Sequence, residues 1–161
     1  MTFITRRNTL ALAGGLALPA IARAADTVRL GVSIPTATHS FTSAIVWWAN
    51  KAKIDLEGAN KDLSIFIKTA PNAGEQADQL QDLLTANRIN GLVIFPFESA
   101  ALTQPVVQVR RKGVYVTVVD RALTDSKDED AYVAGDNTAF GREPAEYIVK
   151  TLGGKGTVVA L

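Results

Sequence analysis

From residue 28 onward, short continuous apolar runs alternate with longer segments in which apolar residues recur at a helical period. The runs 28–34, 63–68, 91–96, 114–119, 131–135 and 157–161 are short and rich in β-branched residues, and they read as six strands. Between them, 41–57 carries Phe41, Ile45, Trp48 and Ala52 at helical spacing, and 75–87 places Leu80, Leu83 and Leu84 on one face. Segments 100–112 and 137–152 complete four predicted helices, with Pro105 expected to make the start of the third irregular. Gly58, Gly113 and the pair Gly153-Gly154 stand where helices should stop. Most of the strands lack a polar alternate, as a strand does when both of its faces are covered. The pattern therefore predicts an α/β protein, a three-layer α-β-α sandwich with a parallel sheet.

The first 24 residues follow a different rule. Thr5-Arg6-Arg7 precedes an apolar run over 10–21, and Ala22-Arg23-Ala24 follows it. A run of about a dozen residues is too short for a helix to span about 30 Å of hydrocarbon. Charged start, apolar middle and small-residue end together read as an export signal cleaved after Ala24. A membrane anchor or a buried N-terminal helix is the alternative. The paired arginines make the signal Tat-like: Leu10 fits that pattern, and Thr9 departs from it. The expected location is the periplasm, with no stable membrane insertion after cleavage. Removing the three arginines of this segment leaves 14 Lys and Arg against 16 Asp and Glu, a net charge near −2. That balance suggests no nucleic-acid partner. The absence of cysteine excludes disulfides, thiolate metal sites, a cysteine nucleophile and a lipid-modified leader.

In parallel sheets of this type, ligands bind at the carboxyl ends of the strands. That rule selects the loops 35–41, 95–99, 120–123 and 135–137. Asp120 and Arg121 close the fourth strand. A carboxylate accepts hydrogen bonds from hydroxyl groups and a guanidinium donates two in fixed geometry, so the pair could hold neighbouring hydroxyls while offsetting each other's charge. The alternative is a surface ion pair. Phe41 could lay its ring on the C–H face of a sugar, or pack on the core at a helix start. His39, the only histidine, could bond a ligand or be a solvated loop residue. Asp136 and Asn137 could form a polar ligand edge, cap the following helix, or do both. At least one of Trp47 and Trp48 is expected in the core. No second His, Cys or carboxylate cluster accompanies His39, so neither a metal nor a catalytic triad is expected. Gly153-Gly154-Lys155-Gly156 lacks the spacing of a phosphate loop and precedes a strand, which leaves no sign of a nucleotide cofactor.

The ordered set Gly31-Val32-Ser33-Ile34-Pro35, Phe41, 76–84, Asn90-Gly91-Leu92-Val93-Ile94-Phe95-Pro96, Val119-Asp120-Arg121 and Ala134-Gly135-Asp136-Asn137 resembles the ribose-type periplasmic sugar-binding proteins. The resemblance covers essentially all of residues 26–161. It implies a type I periplasmic-binding-protein lobe, one of two joined by a hinge, with a monosaccharide or sugar alcohol held between them and no catalysis. It implies that Phe41 stacks on the sugar and that Asp120 and Arg121 hydrogen-bond it. Phe95 and Phe97 stand where family members often place a polar group, and Gly135 replaces a hydroxyl residue that some of them use. The family is about twice as long as this chain, so residues 25–161 are expected to be the N-terminal lobe, with the second lobe missing and weak or no binding by one lobe alone. The resemblance further implies an ABC permease in the inner membrane as the partner. The alternatives are a sugar or autoinducer sensor for a chemoreceptor and, further off, a small exported α/β enzyme, for which no nucleophile elbow is present. LacI-type regulators share the lobe but carry a helix-turn-helix where this chain has its export signal. N-terminal sequencing of the protein recovered from the periplasm should read Ala25-Asp26-Thr27 first; a retained Met1 would refute the cleaved signal.

Overall fold

The computed structural model describes residues 27–159, so the export signal expected at 1–24 lies outside the described residues. Five strands form: β1 (Val28–Pro35), β2 (Leu63–Ala70), β3 (Gly91–Ile94), β4 (Tyr115–Val119) and β5 (Ala131–Val133). Four helices alternate with them: α1 (Ser40–Ala59), α2 (Ala73–Thr85), α3 (Ser99–Arg111) and α4 (Asn137–Thr151). One sheet results, in the order β2-β1-β3-β4-β5, with every pairing parallel. β1 is the hub. It pairs along its full length with β2 and, from Leu30 to Ser33, with β3.

The register sorts the side chains onto two faces. Gly31 lies opposite Leu92, and Leu92 opposite Val116; Ser33 lies opposite Ile94, and Ile94 opposite Val118. These residues turn toward α2 and α3, where Leu80, Leu83, Leu102, Val106 and Val109 complete the core, all fully buried. Burying each such side chain contributes roughly 1.5–3 kcal/mol, before conformational entropy is set against it. Gly31 is a close-approach glycine: a Cβ there would lie 2.9 Å from Cδ1 of Ile89 and 3.2 Å from Cδ1 of Leu83. A side chain there would force the Ile89 side chain, and with it the turn after α2, to shift on β1.

The opposite face is covered differently. α1 lies over β1 and β2, above Ile34 and Ile65, and Thr42 is its single buried residue. Neither tryptophan of α1 enters the core, contrary to the sequence expectation. Trp47 and Trp48 are 57% and 60% exposed and pack edge to face on each other, ring centroids 4.6 Å apart. α4 buries no residue, and Tyr115 and Val133 on that side of the sheet are exposed. The sandwich thus has α2 and α3 on one side and α1 on the other, and among the described residues nothing covers the half-face over β4 and β5.

Two local expectations also change. α3 runs without a break through Pro105, because Ala101, whose carbonyl loses its partner there, is exposed and can bond water. The sixth strand, expected over 157–161, is not formed over 157–159, and the remaining two residues lie outside the described ones. A strand exists only by pairing its backbone, and among the described residues the sheet ends at β5. Val158 and Val159 instead line a cleft with Gly141, Pro144 and Ile148 of α4.

At the amino edge, the Arg110 guanidinium meets the Asp130 carboxylate at 2.8 Å, and that carboxylate also accepts the Val116 N–H at 2.9 Å. The hydrogen bond from Arg110 and then that from Val116 hold the Asp130 carboxyl below its ordinary value. This pins the loop between β4 and β5. The asymmetry of the two faces sets an expectation for stability. Leu83→Ala should cost about 2–5 kcal/mol and Trp48→Ala less than about 1 kcal/mol in urea unfolding; equal costs would contradict the burial described.

Candidate functional site

The chain leaves β1 toward α1 on one face and leaves β3 toward α3 on the other, so the gap between β1 and β3 is the switch point of the sheet. The sequence-predicted residues gather along this carboxyl edge. After β1, His39 takes the N-cap position of α1, with extended backbone, and its carbonyl accepts the Ser43 N–H at 2.9 Å. Thr42 fastens the entry: its hydroxyl accepts the Thr38 N–H at 3.2 Å and donates to the His39 carbonyl at 3.1 Å. Phe41 is therefore held at the first turn of the helix, 50% exposed. It is not a core residue. One side of its ring meets Phe95 edge to face, centroids 6.1 Å apart, and the His39 ring lies nearly parallel to it at 6.5 Å.

Phe95 follows β3 and is buried, with the Arg121 guanidinium 5.6 Å from its ring centroid. Arg121 donates to the carbonyls of Pro96 and Phe97. It thus turns along the edge toward the β3 loop, and it forms no ion pair with Asp120 among the described residues. The mutual charge compensation considered from sequence does not occur. Asp120 has a left-handed backbone, with φ of 63°. The Arg121 N–H reaches the Val119 carbonyl at 2.8 Å and closes a three-residue turn around it. A positive φ at a non-glycine centre of such a turn is a strained, rare arrangement. The Asp120 N–H donates to the Val133 carbonyl at 2.8 Å, and the Tyr132 hydroxyl donates to the Asp120 carbonyl at 2.7 Å. Among the described residues, no hydrogen bond engages the Asp120 carboxylate.

After β5, Asp136 is the N-cap of α4, and one carboxylate oxygen accepts the Ala139 N–H at 2.8 Å. The capping alternative is realised there, and the second oxygen stays available. Asn137 is the first residue of α4 and is exposed.

Sequence reasoning missed the groups that hold these pieces in place. Gln76 is fully buried in α2. Its Nε2 donates to the Ser33 hydroxyl at 3.0 Å and to the Phe95 carbonyl at 2.9 Å, and its Oε1 accepts the Phe97 N–H at 2.7 Å. One amide thereby ties the end of β1 to the end of β3. The available signal was a glutamine in line with Leu80 and Leu83 on the apolar stripe, where a polar group must find partners. Thr103 plays a matching part on α3: its hydroxyl accepts the Thr124 N–H at 3.0 Å and anchors the loop beyond Arg121.

The rim is open. Hollows of 520 and 530 Å³ lie at the amino ends of the strands, around Arg110 and Asp130 and around Asn60 and Leu63, away from every residue singled out from sequence. Among the described residues no group of His, Cys, Asp and Glu could hold a metal ion. What the carboxyl edge offers is a half-exposed aromatic ring, a guanidinium and, among the described residues, a carboxylate that no hydrogen bond engages. That suits a small neutral molecule with a C–H face and several hydroxyls.

Fold and rim together define a class: one α/β lobe with a switch point at the carboxyl edge of its sheet, the place where such sheets bind ligands. The chain belongs to the periplasmic binding protein family; the family described as "Periplasmic binding protein domain" matches residues 30–161. It is 28% identical over 123 residues to the D-allose-binding periplasmic protein of Escherichia coli, covering 71% of this chain and 40% of that protein. It is 30% identical over 132 residues to the ribose import binding protein RbsB of Bacillus subtilis, covering 81% and 41%. Among solved structures, the fructose-binding periplasmic domain of the hybrid two-component system BT1754 superposes with a TM-score of 0.68 at 26% identity, over 80% of this chain and 41% of that one. The myo-inositol-binding protein of Caulobacter shares the fold, with a TM-score of 0.66 at 24% identity, over 82% and 43%. The chain spans about two fifths of the length of the curated relatives named here.

The Gln76 amide carries a direct test. Gln76→Leu keeps the volume but strands the Ser33 hydroxyl and the Phe97 N–H in the interior, which should cost about 1–3 kcal/mol in urea unfolding. A neutral substitution would show that the three bonds do not organise the edge.

Proposed function

We propose that this chain is the N-terminal lobe of an exported sugar-binding protein that delivers a monosaccharide or sugar alcohol to an ABC permease in the inner membrane. The observation that carries the reading is the half-exposed Phe41 ring on the same carboxyl edge as the unengaged Asp120 carboxylate. In this reading Phe41 stacks on the sugar ring, Asp120 accepts from hydroxyls, and Arg121 donates through the N–H groups that its backbone contacts leave free. His39, Asp136 and Asn137 flank that centre. A second lobe closes over the rim and supplies the other half of the contacts, so one lobe alone binds weakly. Residues 1–24 direct export to the periplasm and are then removed, and among the described residues no helix is long and apolar enough to cross a membrane. The named relatives are binding proteins, which supports a role without catalysis.

A sensor role is the second reading. It is favoured by the likeness to the fructose-binding domain of a two-component system, which places a lobe of this kind in a signalling protein. Both readings require the same sugar edge.

NMR titration of the 161-residue chain with D-ribose, D-allose and xylitol tests that edge. At least one sugar should shift the amides of Phe41, Asp120 and Arg121, with an affinity in the millimolar range or weaker. Phe41→Ala and Asp120→Asn should each weaken binding about fivefold or more. Shifts that survive both substitutions, or tight binding by the single lobe, would overturn the assignment.

A further inference from the structure

Tyr132 stands outside every role described so far. It lies on β5, an edge strand of three residues, and it is 45% exposed, so its ring contributes little to the core. Its hydroxyl nevertheless makes one well-formed hydrogen bond, 2.7 Å to the carbonyl of Asp120. That carbonyl belongs to the residue with the least comfortable backbone near the rim. Holding a non-glycine residue at such a φ costs of order 1–3 kcal/mol and persists only where the surroundings over-determine it. Three hydrogen bonds do so here: Arg121 N–H to Val119, Asp120 N–H to Val133, and the Tyr132 hydroxyl to Asp120. The first two join backbone to backbone and ask nothing of the side chains. The third is supplied by one side chain.

We propose that Tyr132 is a positioning residue for ligand binding: its hydroxyl latches the strained turn at Asp120 and holds the Asp120 carboxylate ready at the rim. Ordering a loop at the moment of binding weakens affinity, and a turn latched beforehand avoids that cost. The latch makes β5 part of the site although no β5 side chain need touch the sugar. The link from latch to affinity rests on reading Asp120 as a sugar ligand; the latch itself does not.

Tyr132→Phe removes the hydroxyl and keeps the ring. In the 161-residue chain, hydrogen exchange of the Arg121 amide, which is bonded across the turn, should rise about fivefold, the equivalent of one hydrogen bond. Exchange at Val116 and Val118 in the core strand should stay unchanged. In titrations with whichever of D-ribose, D-allose and xylitol the unaltered chain binds, the substitution should weaken binding up to the same factor, and should weaken it no further when Asp120→Asn is already present, because it acts through that carboxylate. An Arg121 amide that does not respond, or that rises together with Val116 and Val118, would overturn the latch. Additive losses with Asp120→Asn would overturn the link to binding. If the unaltered chain binds none of D-ribose, D-allose and xylitol while the Arg121 response is as expected, the latch stands and the sugar assignment fails.

Discussion

The arrangement of this lobe turns on one buried amide. Gln76 lies in a layer of leucine and valine, and burying its polar atoms without partners would cost several kcal/mol. All three of its hydrogen bonds run to the ends of β1 and β3, so the helix, the two central strands and the loops that leave them are fixed as one unit. Apolar packing sets α2 on the sheet but does not set its position along the strands to a fraction of an ångström. The amide does, because an N–H···O bond weakens steeply with angle and distance. Phe95, held through its carbonyl, then supports both Phe41 and Arg121. The rim inherits its geometry from the core.

At the rim, strain and packing fall in different places. The face under α2 and α3 is filled to the point that Gly31 has no room for a methyl group. Near the rim the backbone strain sits at Asp120, where β4 ends, and two of the bonds that hold it come from β5; the other non-glycine residue with a positive φ, Arg88, lies in the turn after α2. This separation is physically reasonable. A strained residue needs rigid partners close by, and a binding edge needs its charged group free of intramolecular bonds. Asp120 meets both conditions of the proposed site, since its N–H and its carbonyl are each bonded to β5 and, among the described residues, no hydrogen bond engages its carboxylate.

The strands were legible as short, continuous apolar runs, a local mark that holds even for β4 and β5, although one face of these two is left uncovered among the described residues. Five strands and four helices could be located from it. The sixth could not, since 157–159 has the composition of a strand and, among the described residues, no strand pairs with it. Trp47 and Trp48 misled for a related reason: hydrophobic spacing says which face of a helix is apolar, not whether a neighbour comes to cover it. Along the edge, Phe41, Asp120, Arg121 and Asp136 were found from position alone, through the rule that such sheets bind at their carboxyl ends. Their partners were not, because Gln76 and Thr103 look like ordinary helix residues until the elements meet.

Residues close in the chain were thus enough for the class of fold, the order of its elements and the segments that would line its edge. Contacts between residues far apart in the chain settled the rest. Arg121 leans on Phe97 and not on Asp120, and Tyr132 reaches across to the turn before it. Such choices depend on distances of a few ångströms between elements that share no sequence neighbourhood. Periodicity reports burial, an average over a whole face; a hydrogen bond reports one direction and one length, and these exist only once the chain has packed.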